Sequence, residues 1–224
     1  MENLPFYISV VFILTAVLAV LFFYKASNNA RLVITVLVIW LLVQSLIALK
    51  NFYVITNTIP PRFSLLTMPP LLLIVVLFFT ARGKYYIDNF DLKTLTLLHI
   101  IRIPVELVLF WLFLHKAVPQ IMTFDGRNFD LLSGLTAPFI YYFGFIKKQL
   151  NRKLLIGWNI VCLLLLINVI VIAVLSAPFP FQKFGFEQPD IAILHFPFVW
   201  LPCCVVPIVL LSHLISIRQL LYKR

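Results

Sequence analysis

The stretch TLTLLHIIRIPVELVLFWLFLH, residues 94–115, decides the fold. It is long enough to cross a hydrocarbon core of about 30 Å as a helix, which takes about 20 apolar residues. Three ionisable residues interrupt it, His99, Arg102 and Glu106. Their spacing of i, i+3 and i+7 puts them on one helix face. By helical rise Glu106 sits near the bilayer midplane, with Arg102 about 6 Å nearer the cytoplasm. A charge at that depth costs at least about 2.5–3.5 kcal/mol on insertion scales. The polar face must therefore turn toward a bundle interior or a wet cavity. Arg102 and Glu106 are expected to pair along the helix, and Pro104 is expected to free the carbonyl of Ile100 beside them.

The rest of the chain has the same character. Apolar residues make up 62% and charged ones 12%, against roughly 25% charged in a soluble domain. So little polar surface cannot cover a water-soluble globule. Barrel strands would alternate in polarity over about 10 residues, and no such alternation occurs. The apolar blocks predict spans at about 5–24, 32–49, 64–80, 94–115, 131–146, 154–176 and 191–216. The fold class expected is all-α: a polytopic bundle of seven transmembrane helices forming one domain over 1–224. Asp130 is the expected N-cap of the fifth span. The first block has no basic leader, Glu2 being the one charge before Pro5, and reads as a retained span rather than a signal peptide.

The net charge of +10 does not point to nucleic acid, because the basic residues lie in the short segments between apolar blocks. Twelve Lys and Arg fall in 25–31, 82–93, 147–153 and the C-terminus, and five in the opposite set, Lys50, Arg62, Lys116, Arg127 and Lys183. That bias predicts a cytoplasmic C-terminus and an N-terminus outside. Cys162, Cys203 and Cys204 lie inside apolar blocks and imply no disulfide framework.

Function is less legible than architecture. His99, Arg102 and Glu106 form a candidate substrate or proton site, since intramembrane ionisable groups mark functional sites by default. A buried pair that only pins helix packing is one alternative, and a Glu106 that is simply protonated is another. Pro197, Pro202 and Pro207 predict a kinked or partly unwound last span, freeing the carbonyls of Ile193, Phe198 and Cys203. The segment 123–130, with Arg62, suggests an outer mouth built from Arg62, Asp125, Arg127 and Asp130; a tight turn at Gly126 is the plainer reading. His115 and His195 with Asp190 lie near the outer surface, and His99 and His213 on the inner side. Histidine with carboxylate suits a metal, but no HxxxH or HExxH spacing occurs, so no cofactor is assigned. The last span holds no lysine for a retinal Schiff base.

The stretches Pro60-Pro61-Arg62-Phe63, 122–138, Leu201-Pro202, Val206-Pro207 and Ser212-His213 resemble a group of small uncharacterised bacterial seven-span inner-membrane proteins. The resemblance implies a bacterial inner membrane and brings no activity. The expectation is small-solute binding or translocation, open to proton coupling. An intramembrane metal-dependent enzyme acting on lipid and a non-catalytic assembly or sensory partner are the alternatives. Expected partners are the lipid bilayer and a small polar solute; the oligomeric state is not legible.

Overall fold

The computed structural model describes residues 4–58 and 60–222. Glu2, Lys223 and Arg224, which enter the charge arguments above, lie outside the described residues. Every regular element among the described residues is helical: α1 Phe6–Ala26, α2 Arg31–Leu49, α3 Ser64–Phe79, α4 Ala81–Ile87, α5 Leu92–Leu98, α6 Arg102–Leu114, α7 Leu131–Tyr141, α8 Arg152–Ser176 and α9 Val206–Tyr222. Five helices are long and apolar enough to cross a membrane: α1, α2, the run Leu92–Leu114, α8 and the run Leu201–Tyr222. The pair α3–α4, bent by 97°, makes a sixth if it counts as one span, and Leu131–Ile146 is a shorter apolar helix.

The basic segments gather at one end. The Asp91 amide donates to the Ala26 carbonyl at 2.8 Å. Arg218 reaches Asp88 at 2.9 and 3.0 Å. Gln219 donates to the carbonyls of Ile87 and Phe90, and Arg152 to that of Leu220. At the other end Ile191 and Ala192 donate to the Ala117 carbonyl, and Gln188 to those of Phe113 and Val118. Leu4 packs against the hydrophobic cluster that holds Ala117 and Ala192, and lines a pocket with Asn51 and His195, at this second end. The two ends of the described chain therefore lie at opposite ends of the bundle.

Three segments differ from expectation. The polar stretch 82–93 holds a short helix, α4, and the start of α5, each opened by a side-chain cap. Thr80 accepts from the Gly83 amide at 3.1 Å and Asp91 from the Thr94 amide at 3.0 Å. The last span is helical only from Leu201: Leu201–Val205 is a π-helical turn, while Ala192–Leu194 is a single 3-10 turn. Pro207 removes the amide that would serve the Cys203 carbonyl, and the Trp40 indole donates there instead at 3.0 Å. The third difference is the approach to α7.

That approach descends into the bundle. Asn168, about 12 Å from the Ser176 end of α8 by helical rise, donates to the Arg127 carbonyl at 2.9 Å. Asn128 donates to Glu106, itself about 12 Å below the end of α6, at 2.7 and 2.8 Å. Asp130 lies lower still, at Arg102. Helix α7 thus begins deep inside rather than at the surface. Non-helical backbone at such depth is tolerated where protein buries it, and Asn128 and Asp130 are 1% and 5% exposed. Gly134 permits the close approach of α7 to α6, since a Cβ there would meet Ile103 Cγ1 at 2.9 Å.

Candidate functional site

The polar face of residues 94–115 is built by a change of helix type. Helix α5 ends at Leu98, His99–Ile101 form a 3-10 turn, and α6 starts at Arg102. Pro104 therefore falls in the first turn of α6, where its missing N–H costs little. His99, Arg102 and Glu106 are 0%, 2% and 1% exposed, so all three point inward as the energetics require.

The expected Arg102–Glu106 pair does not form. Arg102 Nη1 donates to Asp130 Oδ1 at 2.7 Å, and Nη2 lies 3.0 Å from His213 Nε2. Asp130 in turn does not cap α7 with its side chain; its carboxylate is spent on the guanidinium. A tie between α6 and the descending segment spans the bundle, which an intrahelical pair cannot do. Glu106 instead faces Asn128 Nδ2, one N–H of which is shared between its two carboxylate oxygens. The same amide group donates to the Met122 carbonyl, and its oxygen accepts from the Asp130 amide at 2.9 Å.

The hydrogen bonds fix the state of His213. Arg102 can only donate, so His213 Nε2 accepts. Asn159 Nδ2 donates to the Leu155 carbonyl at 2.9 Å, which leaves Asn159 Oδ1 as the acceptor for His213 Nδ1, also at 2.9 Å. His213 is a neutral imidazole carrying its proton on Nδ1. His99 stacks on it with ring centroids 3.8 Å apart, and Trp158 meets both edge-on. Neither nitrogen of His99 has a hydrogen-bond partner.

A cavity of about 430 Å³ opens onto this network. Met68 and Leu71 of α3 form one wall and Leu166 and Ala173 of α8 another; α6 and α9 complete the lining. Glu106 and Asp130 are its charged lining residues. Met68 and Leu71 of α3 and Phe181 of the segment after α8 are lining residues that are also exposed. Its volume lies in the range of small-molecule pockets, which are mostly apolar with a few placed polar groups.

The other sequence candidates are scattered. Of the four mouth residues, Asp130 is drawn inside. Asp125 is exposed and accepts from Gln120 at 2.9 Å. Arg127 is exposed, and Arg62 lies over the Phe52 ring, 4.6 Å from its centroid. The proposed metal set is not assembled: among the described residues no three His, Cys, Asp or Glu groups come together to hold an ion. His115 is exposed, and His195 bonds the Ile191 carbonyl. Asp190 is fully buried, and neither carboxylate oxygen has a partner of normal geometry. Burial pushes its carboxyl up to about 8, against a smaller opposing effect of the Ile193 amide.

Asn128 and His213 are the functional neighbours that residue type alone did not single out. The depth match of His213 with His99 was the available signal; for Asn128 there was none, because its descent depends on tertiary structure. Comparison with known proteins gives one family model, described as a domain of unknown function (DUF8737), which matches residues 59–221, nearly three quarters of the chain. Neither a curated protein nor a solved structure matches.

Proposed function

The chain belongs to the DUF8737 family, and we propose that it is a membrane protein of seven passes that binds or moves a small solute, with proton exchange at Glu106. The observation that carries this reading is the cavity of about 430 Å³ with Glu106 and Asp130 in its lining. A purely structural ion pair has no need of a cavity beside it; here both carboxylate residues, though themselves buried, border one.

Seven passes are supported by the opposite placement of the two ends of the described chain, which requires an odd number of traverses. The fifth traverse is composite, an irregular descent through 123–130 followed by Leu131–Ile146. The basic segments share one end of the bundle, and the positive-inside rule puts that end in the cytoplasm. The location proposed is a bacterial inner membrane, on the sequence resemblance.

The test is reconstitution into liposomes with an imposed pH gradient and a broad panel of labelled solutes. Wild type is expected to move at least one solute, and Glu106→Gln to lose the gradient dependence while folding normally. Absence of flux for the whole panel, with wild type correctly folded, overturns the reading.

A further inference from the structure

The charge count at the cavity floor points to the class of solute. Arg102 is always a cation and compensates one carboxylate, Asp130, through the 2.7 Å contact. His213 is neutral by its hydrogen bonds, and His99 stacks behind it without a charged partner. From α8 the nearest titratable residue is Cys162, whose carbonyl lies 3.4 Å from Arg102 Nη1. Helix α3 contributes Ser64, Thr67, Met68 and Leu71 to the lining, none of which ionises near neutral pH. When both carboxylates are ionised, one negative charge is left over at Glu106. Such a charge in an apolar environment takes up a proton or a cation.

Glu106 is also incompletely satisfied. With one Asn128 N–H taken by the Met122 carbonyl, the other is shared between the two Glu106 oxygens, and a carboxylate offers about four lone-pair sites in all. A group with several N–H donors and a positive charge fits the remainder. The rest of the lining is hydrocarbon from α3, α8 and α9, which suits an aliphatic body and rejects a second charge. We propose that the cavity binds a primary aliphatic amine as its ammonium cation, with the head on Glu106 and the hydrocarbon body between α3 and α8. The empty site holds a proton on Glu106, and binding exchanges it: one ammonium enters and one proton leaves. This rests on the reading of the cavity as a solute site and names the solute's chemistry.

The test compares octylamine, octanol and octanoate, titrated calorimetrically near neutral pH into full-length protein in lipid nanodiscs, with proton release followed by a dye in weak buffer. Octylamine is expected to bind at least about ten-fold tighter than the other two, which is the discrimination of roughly one well-placed charged contact. It should release about one proton per molecule bound. Glu106→Gln should abolish both the preference and the release. Thr67→Trp, which fills the cavity from α3, should remove binding of all three probes and leave the fold intact. Equal binding of octanol, or a preference that survives Glu106→Gln, overturns the proposal. If a neutral or anionic solute is driven by the pH gradient while octylamine does not bind, the amine assignment falls and the solute reading stands. Octylamine binding with proton release, in a protein that moves nothing, keeps the ligand class and rejects translocation.

Discussion

Arg102 is bound to Asp130, 28 residues on in the chain, and not to Glu106 on its own helix. The choice has a physical logic. A pair four residues apart on one helix stabilises that helix alone, by a few tenths of a kcal/mol at a surface. The pair across elements holds the descending segment 123–130 in the bundle and fixes where α7 begins. It also releases Glu106 to line the cavity.

Asp130→Asn should accordingly be severe. It leaves the guanidinium buried and without its counter-charge, a loss of about 3–5 kcal/mol in comparable buried pairs. Replacing both partners, as Arg102→Met with Asp130→Leu, should recover much of that loss. Thermal unfolding in detergent, monitored by circular dichroism, compares the three proteins. A double variant no more stable than Asp130→Asn would show that the pair's value is not electrostatic.

Asp190 gives a pH dependence with a definite sign. Its carboxyl is raised from the ordinary value near 3.8 to about 8 by burial. Between those values the unfolded chain releases a proton that the folded chain retains. Stability therefore falls as pH rises through that window, and the folded state is favoured most on its acid side. The effect is on the order of a few kcal/mol across the window. Asp190→Asn should flatten the fall in melting temperature from acid to mildly alkaline pH. A variant with the same slope as wild type would remove Asp190 as its source.

The helices and their inward polar face were legible because hydrophobic blocks and intramembrane charges act locally. His99, Arg102 and Glu106 had to face inward whatever surrounded them. Their partners were not legible. Asn128 and Asp130 sit in a polar segment that reads as a surface loop, and only the tertiary path of 123–130 carries them down to α6. The same limit hid the missing His115–His195–Asp190 grouping, since equal depth along helices says nothing of azimuth. Proline effects fell between these cases. The opening of the Cys203 carbonyl followed from Pro207, but its capture by Trp40 needed the neighbouring helix.

Gly134→Ala tests the close approach of α7 to α6. The added methyl would lie 2.9 Å from Ile103 Cγ1 and 3.1 Å from the Ile103 amide nitrogen. The backbone contact cannot give by a rotamer change, so the helices must separate. Overpacking of this kind costs about 1–3 kcal/mol. Because Arg102 Cβ is the third contact at 3.2 Å, the same shift should loosen the bond to Asp130. Reduced thermal stability together with weaker octylamine binding is expected. Unchanged values of both would mean that α7 is not pressed against α6.

Trp40→Phe isolates the hydrogen bond that replaces the one lost to Pro207. Phenylalanine keeps an aromatic ring but lacks the donor at Nε1, so the Cys203 carbonyl is left without its 3.0 Å partner. A single neutral hydrogen bond of this type contributes about 1 kcal/mol, and an orphaned buried acceptor adds to the loss. Pro207→Ala in the Trp40→Phe background should restore part of it by returning a backbone amide to the helix. Melting temperatures of wild type, Trp40→Phe, Pro207→Ala and the double variant form a double-mutant cycle. Additive effects would show that the indole does not serve the carbonyl opened by the proline.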